Sequence, residues 1–309
     1  MRHEVLKRLK DAGGFVSGEK LGDGVTRAAL WKHIKAMKAD GADIESITGR
    51  GYRLVSPPDV PRAEYVSAYT TADAKVFYKD VTTSTNDDAK QAGRDGQDRA
   101  VFIAGRQESG RGRKGRVWSS PTGGLYITFL VRPDIEAEKA VGITLMAAVA
   151  LCEAVEKTAG VSPKIKWPND ALVNGKKLSG ILTESMMSMD GVEYAVCGIG
   201  TNTGTNFVGE LAEKACSINV NKTLLAAALT DSFFDGYDKF LSGGFASFMH
   251  KFRERNALSG EVTVTSAGGS ETGEFSGFDD SGALLLRREG EVKRYVAGEV
   301  TLRGGGIYA

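Results

Sequence analysis

The sequence predicts an α+β chain in three units: an N-terminal winged helix-turn-helix, a central α/β unit built on a mixed sheet, and a small C-terminal β-barrel. Three observations carry this. Residues 1–56 show short helical stripes of apolar residues and then a glycine-flanked hairpin pattern. Residues 63–258 alternate strand-like and helical runs. Residues 259–309 hold only short strand-like runs between tight turns. The chain has 309 residues, 41% hydrophobic and 26% charged. That composition argues against disorder, and the length is enough for a real core.

In the first unit, Val5, Leu6 and Leu9 make one face of a short helix ended by Gly13-Gly14. Ser17 opens a second helix. Thr26 caps a third, in which Leu30, Ile34 and Met37 repeat at i, i+4 and i+7. Ile44, Ile47 and Leu54, around Gly49 and Gly51, form the hairpin. A solvated helix face is also rich in Lys and Arg. The basic third helix and the basic hairpin together point to DNA, with Thr26, Arg27, Lys32, Lys35 and Arg50 as contacts. In the middle unit, strands are expected over 75–80, 100–104, 124–131, 165–167, 171–173, 180–184 and 193–198. Helices are expected over 140–158, 222–240 and 245–256. In the last unit, strands are expected over 261–265, 272–278, 283–287, 292–296 and 299–302.

Charge is unevenly placed. The chain holds 40 Lys+Arg against 39 Asp+Glu, which excludes a globally basic DNA coat. Residues 1–56 hold 11 and 7 of these, net +4, leaving 29 and 32, net −3, for the remainder. The break falls at Ser56-Pro57-Pro58-Asp59-Val60-Pro61, with three of the seven prolines, so 57–62 is expected to be an extended linker. The domains are then 1–56, 63–258 and 259–309. Apolar runs fall far short of the ~18 residues that span a bilayer, and the start lacks a signal-peptide pattern. Three cysteines without a CxxC, and only three histidines, argue for reduced thiols in a cytoplasmic protein without structural zinc.

Four segments carry chemistry. Gly110-Arg111-Gly112-Arg113-Lys114-Gly115-Arg116 packs four cations and three glycines into seven residues, followed by Trp118 and Ser119-Ser120-Pro121. Glycines admit an anion to the backbone and Arg grips it with two donors. Without a ligand, four like charges on a Gly-rich loop are expected to repel and stay mobile. A flexible surface loop or an RNA-binding tract would look the same, and the spacing is not that of a P-loop. Lys166-Trp167-Pro168-Asn169-Asp170 offers oxygens suited to Mg²⁺ or nucleotide hydroxyls. Lys177 follows across an Asn174-Gly175 turn, which would set its ammonium beside the Asp170 carboxylate. Taken alone, that segment is a simple turn with a surface lysine pair. Gly198-Ile199-Gly200-Thr201-Asn202 taken alone is a strand-ending turn, and Ser84-Thr85-Asn86 taken alone is a helix N-cap.

Together and in this order, the four segments resemble the biotin–protein ligases, and the Gly-Arg loop with the Lys-Trp-Pro-Asn-Asp box is highly specific. The resemblance covers the whole chain. The front end, through Ser17-Gly18-Glu19 and the run from Arg27 to Ile34, is similar to the winged helix of bifunctional members that also repress biotin operons. The tail resembles their SH3-like C-terminal barrel. The resemblance implies a biotin–[acetyl-CoA-carboxylase] ligase. It would join biotin and ATP, with Mg²⁺, into biotinyl-5′-adenylate. The acyl group would then pass to a lysine of a biotin carboxyl carrier protein. It also implies a homodimer promoted by the adenylate and binding to operator DNA. By the same resemblance Ser84, Thr85, Gln107, Gly110, Arg111, Trp118, Lys177, Gly180 and Gly198 bind biotin. Arg111, Arg113, Arg116, Asn169, Asp170 and Asn202 bind ATP or the adenylate, and Asn169 and Asp170 hold Mg²⁺. Lys177, Arg113 and Asp170 carry catalysis.

Two other functions fit less well. A transcription factor that senses the adenylate without ligase activity would not need intact Lys177, Arg111, Arg113, Asn169 and Asp170. A lipoate or octanoate transferase would not carry this pair of motifs or a winged helix. The sequence also departs from the family pattern. The helix-turn-helix is shorter, so the second helix is expected to be cut near Asp23-Gly24. The expected adenine-covering segment, 203–217, has Phe207 but no Trp. Asp87 adds a negative charge beside a site that must accept a carboxylate, and is expected to face away.

Overall fold

The structure, a computed structural model, describes residues 2–189, 191–266 and 268–302. The end of the expected third unit, 303–309, lies outside the described residues. The N-terminal unit begins with α1 (Arg2–Ala12), which buries Val5, Leu6 and Leu9. Next come α2 (Gly18–Leu21) and α3 (Arg27–Ala39), each capped by the hydroxyl the sequence offers. Ser17 Oγ accepts from the Lys20 N–H, and Thr26 Oγ1 from the Ala29 N–H. The second helix is a single turn, as its short spacing required. Leu30, Ile34 and Met37 of α3 close the core. The hairpin of β1 (Asp43–Ile47) and β2 (Gly51–Ser56) is antiparallel. Its Tyr52 exchanges two backbone hydrogen bonds with Val16, each 2.9 Å. Only glycine fits at Gly51, where φ is +93° and a Cβ would stand 2.0 Å from the Val16 oxygen.

Residues 57–62 are not a free spacer. Asp59 accepts from the Lys222 N–H at 2.7 Å and pairs with the Lys222 ammonium at 2.5 Å. Asn221 Nδ2 donates to the Pro57 oxygen, and Thr223 Oγ1 to the Val60 oxygen. Then comes α4 (Ala63–Tyr69), which the sequence reading did not foresee. It has no side-chain cap, and it is buried on both sides, so it lacks an amphipathic stripe. Tyr65 and Ala68 join the N-terminal core, while Val66 joins the central one.

The central unit is a seven-stranded mixed sheet, ordered β3-β4-β5-β9-β8-β7-β6. It comprises β3 (Lys75–Thr82), β4 (Ala100–Gln107), β5 (Leu125–Val131), β6 (Lys164–Lys166), β7 (Asp170–Val173), β8 (Lys176–Ser188) and β9 (Gly191–Thr201). β3 and β4 are parallel and the other pairs antiparallel. Helix α5 (Thr85–Arg94), whose start the Ser-Thr-Asn box marked but whose extent was not expected, links β3 to β4 and buries Ala89 and Ala92 with Phe102, Leu130 and Tyr194. α6 (Val141–Ala159) packs its long buried face into the main core, as does α8 (Lys222–Gly243), whose Phe233 stacks on Phe129. A one-turn α7 (Glu210–Lys214) lies between β9 and α8. The expected single helix over 245–256 is a 3₁₀ turn, Phe245–Phe248, followed by α9 (Met249–Glu254).

The last unit is a five-stranded antiparallel sheet ordered β13-β12-β11-β10-β14. Its strands are β10 (Glu261–Ser266), β11 (Gly269–Phe278), β12 (Leu284–Arg288), β13 (Glu291–Tyr295) and β14 (Glu299–Leu302). Val262, Val264, Leu284 and Leu286 belong to the same apolar core as α6 and α8. The buried Trp167 indole N–H donates to the Gly282 oxygen at 3.0 Å, tying sheet to body. Among the described residues, no helix is long and apolar enough to cross a membrane.

Candidate active site

A cavity of about 530 Å³ opens over β8 and β9, beneath the Gly-Arg loop. All the expected ligase residues line it except Gly110. Gly110 is buried behind the loop, where a Cβ would meet Ser120 Oγ and the Trp118 oxygen at 2.4 Å. The other glycines make room for protein side chains. Gly180 and Gly200 are register partners across β8 and β9, and the Trp118 indole lies against both. A Cβ on Gly200 would be 2.3 Å from Trp118 Nε1, and one on Gly198 would be 2.1 Å from Asn86 Oδ1. The Gly198–Gly200 run therefore sits within β9 and is not a strand-ending turn.

At one end of the cavity, Ser84, Thr85 and Asn86 open α5. Ser84 holds the cap position, but its hydroxyl makes no capping bond, so it is not the ordinary N-cap the segment resembles when read alone. Gln107 Oε1 accepts from the Thr85 N–H at 2.8 Å and from Thr85 Oγ1 at 3.0 Å. Its amide nitrogen donates to Ser120 Oγ at 2.9 Å. The buried Thr128 hydroxyl lies 2.8 Å from Thr85 Oγ1 and 2.7 Å from Asn86 Oδ1. This end is a neutral lattice of donors and acceptors held by one sheet and one helix.

The other end is cationic. The β7–β8 hairpin turns at Asn174-Gly175, both at positive φ, and brings Lys177 Nζ to 2.8 Å from Asp170 Oδ1. The same ammonium stands 5.4 Å from the Trp118 ring centre. Arg113 Nη1 donates to Asn169 Oδ1 at 3.0 Å, and Asn169 Nδ2 donates to the Ile181 oxygen. Burial pushes the pKa of the Arg113 and Lys166 cations below its ordinary value, Lys166 being only 7% exposed. The lining carries six cations (Arg111, Arg113, Arg116, Lys166, Lys177, Lys214) against two carboxylates, Asp170 and Glu299. Such a surplus in a partly buried site favours a polyanion.

The like charges of the loop are not left unbalanced. The loop is a small hairpin, with Gly112 N–H donating to the Arg116 oxygen and Trp118 N–H to the Gly110 oxygen. Carboxylates neutralise its cations. Arg111 pairs with Asp87, while Arg116 and Lys114 pair with Glu299 of β14 at 2.6 and 3.4 Å. Asp87 therefore turns toward the site rather than away. Asn202 Nδ2 donates to the Lys177 and Cys216 oxygens and ties the far wall together. The aromatic on that wall is Phe207, beside Leu211 and Lys214.

Asn169 and Asp170 do not form a metal cage. Asn169 Oδ1 faces Arg113, Asp170 Oδ1 faces Lys177, and no group of three acidic, His or Cys residues is gathered among the described residues. The donor set suits a magnesium carried mainly by nucleotide phosphates and water, with one protein carboxylate. Lys166, Lys214 and Glu299 were not singled out from sequence, whereas Phe207 was named as the sole aromatic of segment 203–217. Lys166 was legible as the first residue of the Lys-Trp-Pro-Asn-Asp box. Glu299 has no local signal, because it reaches the loop from a strand 183 positions after Arg116.

Thr26, Arg27, Lys32, Lys35 and Arg50 lie apart from this cavity, exposed on α3 and the hairpin turn. Thr26 serves as the α3 cap, Lys35 rests over Trp31, and Arg50 over Phe15 at 4.8 Å.

Known proteins match this arrangement. Residues 78–202 match the Biotin/lipoate A/B protein ligase family, residues 2–53 an HTH domain, and residues 260–303 the Biotin protein ligase C terminal domain. The bifunctional ligase/repressor BirA of Bacillus spizizenii is 31% identical over 98% of each chain. That of Escherichia coli is 30% identical over 94% of each. The biotin protein ligase of Aquifex aeolicus, solved with biotin and ATP, superposes with a TM-score of 0.66 at 27% identity, covering 76% of this chain and all of that one. With all three units matched in order and the similarity running end to end, the chain belongs to the biotin–protein ligase family, among its bifunctional ligase/repressor members.

Proposed function

We propose that this chain activates biotin with MgATP, transfers it to a lysine of a biotin carboxyl carrier protein, and represses biotin genes when loaded with the adenylate. The carrying observation is the surplus of six lining cations over two carboxylates, next to a neutral end rich in donors and acceptors. Biotin's ureido ring would lie against Ser84, Thr85 and Gln107, its valeryl chain along Trp118 over Gly180 and Gly198, and its carboxylate toward Lys177. Gly110 serves biotin only indirectly, by letting the loop close on itself.

In the first step a biotin carboxylate oxygen bonds to the α-phosphorus, and the bond to the bridging oxygen breaks, releasing pyrophosphate. Charge builds on the phosphoryl oxygens, and Lys177 is placed to meet it. Asp170 holds that ammonium at 2.8 Å, so little reorganisation is needed. Arg113 and Arg116 neutralise the phosphates, Arg111 closes over the adenylate, and Asn169 and Asn202 steady the nucleotide. Asp170, with Asn169 beside it, would hold a Mg²⁺ carried by the nucleotide, which would supply further positive charge to the phosphates; Asn169 Oδ1 also accepts from Arg113. In the second step the acceptor amine adds to the acyl carbon and AMP leaves, with Asp170 able to take the amine's proton.

The C-terminal sheet is proposed to close as an SH3-like barrel, and the adenylate-bound chain to form a homodimer that presents two winged helices to two half-sites. The direct test is incubation with biotin, MgATP and a carrier domain. Pyrophosphate release and biotinyl-lysine are expected, and absence of both would refute the ligase reading.

A further inference from the structure

The hairpin over the cavity has a fixed internal shape but needs something to set its angle. Its own backbone bonds, Gly112 to Arg116 and Gly110 to Trp118, hold the shape, and the Gln107 N–H donating to the Ser120 oxygen fastens its base. Across the cavity mouth it is held by side chains. Arg113, Lys114 and Arg116 face Asn169 and Glu299 at the cationic end, where substrate phosphates would compete for them. Arg111 stands at the opposite end.

There Asp87, the third residue of α5, accepts from Arg111 Nη1 at 2.9 Å and Nη2 at 2.5 Å. Arg111 Nη2 is also 3.9 Å from Glu184 Oε2 of β8. Glu184 in turn accepts from Asn86 Nδ2 at 2.8 Å and Lys90 Nζ at 2.5 Å. The guanidinium is thus gripped between a helix and a strand, beside the Thr85–Asn86 end of the site. A lone exposed ion pair contributes little, but this one is bidentate, shared and mounted on rigid elements. Hydrogen bonding from Arg111 also holds the Asp87 carboxyl below the usual carboxylate range.

We infer that Asp87, supported by Glu184, is a latch that holds the Gly-Arg hairpin closed by gripping Arg111, before as well as after ligand binds. It is a positioning residue: it touches no reacting atom, and it keeps water from the activated acyl group until the acceptor arrives. The water-excluding role rests on the adenylate chemistry proposed above, whereas the closed hairpin does not.

The test is Asp87→Asn in the full chain. In the ligand-free protein, hydrogen exchange of amides 110–117 should quicken about two- to fivefold, the upper part of the range for one partly exposed charged pair. Amides 88–94 of α5 should be unchanged, and Asp87→Glu should restore part of the protection. With biotin and MgATP but no carrier, hydrolysis of released adenylate to biotin and AMP should rise by a similar factor, with the KM for ATP unchanged. Unchanged exchange in 110–117 overturns the latch. So does equal loss in the hairpin and α5, since that marks Asp87 as a helix N-terminal charge only. If the wild-type chain makes no adenylate, the ligase reading fails, and the exchange result still decides the latch.

Discussion

Lys177 lies beside Asp170 because a tight Asn174-Gly175 turn pairs β7 with the start of β8, and the sequence spacing already implied that meeting. Lys177→Met should lower adenylate formation at least a hundredfold, since one charge aimed at the transition state contributes about 3–4 kcal/mol. Biotin affinity should stay within about tenfold, because the end proposed to hold the ureido ring is lined by Thr85 and Gln107, held from behind by Thr128. Rapid-quench assays with equilibrium biotin binding separate the two, and equal losses would contradict the role. Residues inside contiguous motifs were legible in this way. Lys214 and Glu299 were not, because a wall residue on a one-turn helix and a carboxylate on a distant strand have no local pattern. Asp87 was legible as a charge but not as a partner, since the Arg111 that balances it is 24 positions away.

Among elements, most strands and the long helices α6 and α8 follow from apolar periodicity, because each buries one face or all of itself against a single layer. α4 escaped because it is short, and of α5 only the start was legible. α4 is shared between two cores, and α5 begins at a Ser-Thr-Asn box that also serves the cavity. The reach of β9 past residue 198 was hidden by Gly198 and Gly200, which read as a turn but admit Asn86 and Trp118. The turn between β11 and β12 depends on Asp279. Its carboxylate accepts from the Ser281 and Ala283 N–H groups and the Ser281 hydroxyl, and pairs with Arg294. Partial burial works against the ionised form, yet these hydrogen bonds bring the carboxyl from 3.8 down to about 2. A depressed folded-state value means the stabilisation is present above 3.8 and is lost as pH falls through about 2. Asp279→Asn should cost about 1 kcal/mol near neutral pH and flatten the acid dependence of unfolding in that window. Denaturant titrations across that window check this, and an unchanged acid limb would contradict it.

For the molecule as a whole, the composition was a misleading guide. A net charge of +1 is the sum of a +4 N-terminal unit and a −3 remainder, and the remainder, though net acidic, lines its cavity with six cations against two carboxylates. The three-unit order was legible, but its rigidity was not. The proline-rich segment is clasped to the start of α8 through Asp59 and Lys222, and the C-terminal sheet shares the core of α6 and α8. The residues proposed to face DNA and those lining the cavity are thus joined through packed contacts, which suits the proposal that a single adenylate serves both activities. The most direct measurement of that claim is operator binding by wild-type and Lys177→Met proteins, supplied either with biotin and MgATP or with preformed biotinyl-5′-adenylate. The wild type should shift a palindromic operator from biotin genes under both conditions, with an affinity that falls steeply with salt. The variant should shift it only with the preformed adenylate. Binding that ignores the ligand, or a variant that the adenylate does not rescue, would contradict a single adenylate made in this cavity and read out on DNA.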